Sequence, residues 1–140
     1  MILLDTNVIS ELMRAEPARI VLDWFGNHDA GDLFISAVTE AELRTGVAIL
    51  PEGQRRDRLQ LAIDAMIDQD FQLRVLPFDT LAGKAYAEIA AQRRAAGRPI
   101  AEADCQIAAI ARATDAPIAT RNVKDFDGCG VRVINPWNAE

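Results

Sequence analysis

The segments Ile2–Asp5 (ILLD) and Pro117–Thr120 (PIAT) are apolar without interruption until a polar residue closes each of them. A strand with one wet face alternates apolar and polar residues. Unbroken apolar strands belong instead in a parallel sheet covered on both faces. Three further segments read as strands, Leu33–Ser36, Arg74–Phe78 and Val131–Ile134. Helical patterns lie between them, over Val8–Met13, Ala18–Asn27, Thr39–Leu50, Arg55–Gln69, Leu81–Ala96 and Ala101–Thr114. Strand and helix in alternation predict an α/β fold, a three-layer α/β/α sandwich around a five-stranded parallel sheet. No linker, internal repeat or low-complexity tract interrupts residues 1–140, so one domain is expected.

Half of the residues are hydrophobic and 26% are charged, the balance of a soluble globular protein. No apolar run approaches the roughly 18 residues of a membrane helix. The first apolar stretch has no basic residue before it and is not expected to be a signal peptide. Cys105 and Cys129 form no CxxC pair and read as reduced thiols, which points to the cytoplasm. The net charge of −6 argues against a general nucleic-acid binder, because phosphate contacts need Lys and Arg. Two local clusters stand against that total, Arg55, Arg56 and Arg58, and Arg93, Arg94 and Arg98; each reads as a solvated helix face.

In a parallel α/β sheet the ligand site lies beyond the carboxyl ends of the strands, where strand order reverses. Asp5 ends the first strand. It could simply cap the helix that follows, since Asp, Thr and Asn favour that position. Asp104 is harder to dismiss. The helical stripe Ile100, Ala103, Asp104, Ile107, Ala108, Ala111 embeds it in an apolar face, where an isolated carboxylate is costly unless paired or bound to a metal. Its place near the helix start also allows a plain dipole interaction, although Glu102 fits that role better. Thr39–Glu42 has the form of a capping box, yet the stripe Thr39, Glu42, Leu43, Gly46, Val47, Leu50 turns Glu42 inward. Glu40, four residues before Arg44, reads as a surface partner. Thr120 closes its strand as Asp5 does, and Asn122 and Asp125 follow as site or turn residues. The single histidine, His28, sits in a polar stretch and reads as exposed. Acids without a His or Cys cluster make an oxygen donor set, which suits Mg²⁺ or Mn²⁺ rather than Zn²⁺ or copper. Such a site activates water and neutralises charge on a phosphodiester.

Four stretches, LLDTNVISEL, ISAVTEAELRTGV, PIAEADCQIAAIA and IATRNVKDF, resemble in order and spacing the motifs of PIN domains. The nearest likeness is to the VapC- and FitB-type toxins of toxin–antitoxin pairs, and the terminal VINPW adds to it. The resemblance implies an Mg²⁺-dependent endoribonuclease, with Mn²⁺ able to substitute. It implies a homodimer held inactive by a cognate VapB/FitA-like antitoxin, whose tail fills the cleft and whose other half binds operator DNA. It places Asp5, Glu42 and Asp104 at the catalytic metal positions, with Thr6 and Thr120 supporting. Asn122 stands where many relatives carry Asp, so Asp125 becomes the alternative fourth acid and a second metal is in question.

Two rival readings follow from the same residues. A phosphatase with Asp5 as nucleophile would want a second Asp two positions on, where this chain has Asn7. A PIN-like module that binds RNA or a partner without cutting would tolerate the incomplete acid set.

Overall fold

The computed structural model describes residues 1–138. Among them five parallel strands form one sheet: β1 Ile2–Leu4, β2 Leu33–Ser36, β3 Val75–Leu76, β4 Ile118–Ala119 and β5 Val133–Ile134, in the order β3-β2-β1-β4-β5. The register sets Leu3 against Phe34 on one side and against Ile118 on the other. Six α-helices cover the sheet: α1 Thr6–Leu12, α2 Arg19–Gly26, α3 Ala37–Ala48, α4 Gln54–Ala65, α5 Thr80–Ala95 and α6 Glu102–Ala113. The expected α/β/α sandwich is borne out. No helix among the described residues is long and apolar enough to cross a membrane.

The period-two geometry of the strands divides the core into its two layers. Leu3 and Ile118 point to one face, where Ala82 and Ile89 of α5 and Ile107 and Ala108 of α6 cover them. Leu4 and Ala119 point to the other, against Val8 and Ile9 of α1, Leu43 of α3 and Ile63 of α4. All four strand residues have no exposed surface, which is why the apolar runs do not alternate. Cys105 and Cys129 are both free and buried.

Several element boundaries differ from the sequence reading for identifiable reasons. Helix α1 begins at Thr6 rather than Val8, because Asp5 is its cap. Helix α3 begins at Ala37 rather than Thr39, since Ser36 accepts the Thr39 backbone N–H. Helix α4 is followed by a π-helical turn over Met66–Asp70, which shortens it at its carboxyl end. Strand β3 is confined to Val75–Leu76: Leu73 takes a positive φ of 63° before it, and Pro77, which has no N–H for the ladder, follows it.

The arginine clusters are not both solvated faces. Arg93 is 8% exposed. After α5 the chain turns back through Gly97 at φ 72°, a left-handed conformation that glycine adopts without a Cβ clash. That turn lays Arg98 over Arg93, whose Nε donates to the Arg98 carbonyl at 2.7 Å. Its Nη1 donates to the carbonyls of Asp125 and Asp127 at 2.9 and 3.0 Å. A buried cation thus holds the β4–β5 loop through carbonyl dipoles. His28 likewise is half-buried, its Nδ1 2.7 Å from the Trp24 carbonyl and its ring tilted against the Trp24 indole.

Candidate functional site

Strand β1 lies at the reversal of strand order, with β2 on one side and β4 on the other. Asp5 follows it directly, and Thr120 follows β4. The Thr120 hydroxyl donates to Asp5 Oδ2 at 2.7 Å, while the Thr6 backbone N–H donates to Asp5 Oδ1 at 2.8 Å. A third donor, Asn7 Nδ2, lies 3.1 Å from both Asp5 Oδ2 and Thr120 Oγ1. Thr120 Oγ1 also accepts the Asn122 backbone N–H at 3.0 Å. A hydroxyl has one proton, so with the amide donors directed at its oxygen, Thr120 turns that proton to Asp5. Capping and site-building are therefore the same bonds.

Glu42 belongs to a second chain of hydroxyls. Thr6 Oγ1 donates to Glu42 Oε1 at 2.7 Å and stands 3.0 Å from the fully buried Thr39 Oγ1. With the Thr6 proton on Glu42, Thr39 supplies the proton for the remaining bond. The capping box is absent, since Thr39 is inside the helix and Glu42 reaches Thr6 instead. The inward turn expected for Glu42 is also corrected. It is exposed at the cleft, and Leu43 and Val47 form the buried face of α3. Glu40, less exposed than Glu42, pairs with Arg44 as expected, at 2.8 Å.

Asp104 is half-buried in the first turn of α6, whose Cys105 and Ile107–Ala111 are buried almost all round the helix. Burial pushes its pKa up to about 6, and the charges of Asp5, Asp125 and Glu42 push the same way. Asp5 is 4% exposed; burial raises its pKa too, opposed by the Thr120 and Thr6 bonds. The Asp5 charge thus adds to burial in favouring the protonated form of Asp104.

Asp5, Glu42 and Asp104 line one cleft of about 480 Å³ together with Asn7, Asn122 and Arg121. Asn122 lines that wall, and its backbone N–H ties it to Thr120. Asp125 does not line the cleft, yet its charge reaches both Asp5 and Asp104. Two residues were missed as site residues in the sequence. Asn7 read as a cap former and as the missing second acid of a phosphatase, though an amide two positions after a strand-end acid can bond back to it. Glu11 is buried and accepts from Arg14 at 3.0 Å and from the Ala18 backbone at 2.8 Å. An acid three residues before Arg14 on a short helix was the available signal.

The family model described as the PIN domain matches residues 2–128. The chain belongs to the PIN-domain family. It is 45% identical over 137 residues to the VapC ribonuclease Y4jK of Sinorhizobium fredii, with 98% of each chain covered. It is 41% identical over 138 residues to toxin FitB of Neisseria gonorrhoeae, with 99% of each covered. A chain in the solved structure of FitAB bound to the IR36 DNA fragment superposes with a TM-score of 0.94 at 41% identity, covering 100% of this chain and 98% of that one. The resemblance read from the four motifs is borne out. So is its toxin–antitoxin character, and PIN domains of this kind are nucleases.

The donors in this PIN domain are carboxylate, hydroxyl and amide oxygens, the chemistry that hard divalent cations take. Among the described residues no three acids, thiols or imidazoles stand close enough to enclose an ion as placed. As placed, Asp5 accepts from Thr6 and Thr120, and Glu42 from Thr6.

Proposed function

We propose that this PIN domain is the toxin of a type II toxin–antitoxin pair, an Mg²⁺- or Mn²⁺-dependent endoribonuclease. One observation carries the reading. Asp5, Glu42 and Asp104 come from three distant parts of the chain, yet they line one cleft at the point where strand order reverses. Their mutual repulsion, which helps lift Asp104 to about 6, is the excess negative charge that a divalent cation relieves.

Asp5 and Asp104 would hold the ion, with Glu42 across the cleft as a further oxygen donor. When bound there, the metal supplies a nucleophilic hydroxide from water and neutralises phosphodiester charge. The chain's own residues do the rest. Thr120 and Asn7 fix the Asp5 carboxylate, and Thr39 and Thr6 orient Glu42. Asp104, raised to about 6, is the carboxylate whose crowded charge the ion would offset. Asn122 and Asp125 divide the fourth acidic position between them, one supplying cleft surface and the other charge.

An apolar groove of about 970 Å³ continues from the acid cleft past Thr6 and Glu42, floored by Leu43, Val47 and Ile63 and edged by Arg55 and Arg58. It suits the tail of a cognate VapB/FitA-like antitoxin, and an arginine in that tail would neutralise the acids by bidentate pairing. Operator DNA is then bound only through the antitoxin. The toxin is a cytoplasmic homodimer, to be checked by light scattering.

Ribonuclease assays with Mg²⁺ and with Mn²⁺ test the core of this reading. Asp5→Asn and Asp104→Asn should abolish cleavage, while Glu40→Gln and Glu102→Gln should change it little. Unchanged cleavage by Asp104→Asn would sink the mechanism.

A further inference from the structure

The NPW segment Asn135–Trp137 supplies none of the acids of the site, yet its Trp137 lines the cleft. Pro136 is buried, and the Trp137 backbone N–H donates to Asn135 Oδ1 at 2.9 Å, so the turn is closed on itself. The Trp137 ring packs partly against the core beneath α1 and α2 and also lines the cleft. Over it lies Arg121, its guanidinium carbon 5.2 Å from the ring centroid. This is within cation–π range, and a planar guanidinium stacks well on an indole.

The two arginines of the cleft wall differ in one respect. Arg14 is ion-paired with Glu11 at 3.0 Å. Arg121 has no carboxylate within ion-pair distance among the described residues. Its backbone is fixed independently, since its N–H donates to Asn7 Oδ1 at 3.2 Å. A side chain with large rotamer freedom is thus laid on a ring at the mouth of an acidic cleft, its charge felt by Glu11 but held in no direct ion pair among the described residues. In a protein of net charge −6, an RNA phosphate entering beside Asp5 needs such a cation close by.

We infer that Arg121, held by Trp137, grips an RNA phosphate next to the one that is cut, and so sets how the strand enters the acid site. Arg121 is a substrate-binding residue and Trp137 a positioning residue acting through it. The inference rests on the ribonuclease reading for its substrate, but its test does not depend on cleavage.

Binding of a fluorescein-labelled single-stranded RNA is followed by anisotropy across a salt series, in the Asp104→Asn background so that the strand survives. Removing one phosphate partner should flatten the slope of log K against log salt by about 0.7. Arg121→Gln should show that change, and Arg121→Lys should restore it. Trp137→Leu should keep the slope while weakening binding roughly three-fold, because the cation remains but is no longer held in place. With Asp104 intact, Arg121→Gln should raise KM about ten-fold at nearly constant kcat, the signature of a charged interaction made equally in the ground and transition states. The melting temperature of Arg121→Gln should stay equal to the parent's, as its backbone bond to Asn7 is untouched. An unchanged salt slope and KM in Arg121→Gln overturns the phosphate grip and leaves the nuclease standing. A parent protein that binds RNA with this slope change but cuts nothing in either metal overturns the nuclease and leaves the grip.

Discussion

Replacing Asp104 by Asn should make the metal-free protein more stable at neutral pH and leave it unchanged at pH 4. In the folded state the Asp104 carboxyl titrates at about 6 instead of 3.8, for reasons of burial first and of Asp5, Asp125 and Glu42 next. A raised carboxylate pKa means that between these values the folded chain holds a proton that the unfolded chain has lost. Stability therefore falls as pH rises through the window and stays lower above it. The unscreened shift corresponds to about 3 kcal/mol. Asp104 is only half-buried, and solvent screening reduces this to about 1–2 kcal/mol. For a domain of this size that amounts to roughly 3–8 °C in Tm. The amide is nearly isosteric, so little packing is lost with the charge.

The assay is thermal unfolding by circular dichroism from pH 4 to 8, first in EDTA and then with Mg²⁺. In EDTA the Asn variant should melt higher at pH 7 and above, with the advantage closing between pH 6 and 4. Mg²⁺ should reverse the order, because a ligand at 100 times its Kd adds about 2.7 kcal/mol to the state that binds it. A gain from Asp104→Asn that is the same at pH 4 and pH 8 would refute the electrostatic origin. Equal Mg²⁺ shifts in parent and variant would refute Asp104 as a ligand.

Asn7→Ala should lower Mg²⁺-dependent cleavage by about 10- to 100-fold, the usual effect of losing a residue that orients a metal ligand, with the kinetics at saturating metal as the check. Arg93→Met should cost about 3 kcal/mol in urea unfolding, since it strands carbonyls of the β4–β5 loop, and should expose the Cys129 thiol to labelling. Asp125→Asn should lower the Asp104 pKa and weaken Mn²⁺ binding measured by calorimetry, whereas Asn122→Asp should tighten it. If Asn122→Asp has no effect, the fourth donor position is not at the cleft wall.

The layers of the fold were legible because unbroken apolar strands and amphipathic helices leave few ways to be covered. Asp5 was legible for a similar reason, as the end of a buried strand is a place that the topology itself makes special. Glu42 was legible as a position but not as an orientation. The capping-box pattern at Thr39 coincides with a helix that starts earlier, at the Ser36 cap, and nothing local distinguishes the two. Arg93 was illegible, because an arginine satisfied by carbonyls leaves no acid partner in the sequence to find. The roles of Asn7 and Thr39 depend on their bonds to Thr120 and Thr6, more than thirty residues away in each case. Periodicity has no access to those.

The same electrostatic repulsion accounts for both the weakness and the use of this site. Burial raises the pKa of Asp5 and Asp104, and the neighbouring acids raise it further, so the apo fold carries a cost wherever both are ionised. On the proposed reading, a divalent cation would remove that cost and bind more tightly in proportion to it. Hydrogen bonds from Thr6, Asn7 and Thr120 oppose the effect of burial on Asp5, whereas Asp104 accepts none among the described residues and its pKa is pushed up to about 6. Cation affinity should therefore fall as pH drops through about 6, and with it the advantage of the loaded protein over the empty one. An arginine entering the cleft would relieve the same repulsion as the metal does, so metal and antitoxin compete for one charge deficit. Ribonuclease activity of a purified toxin–antitoxin complex should accordingly rise across a Mg²⁺ or Mn²⁺ titration at pH 8 and do so less at pH 5.5. Activity indifferent to metal concentration at both pH values would show that the antitoxin holds the toxin by some other contact.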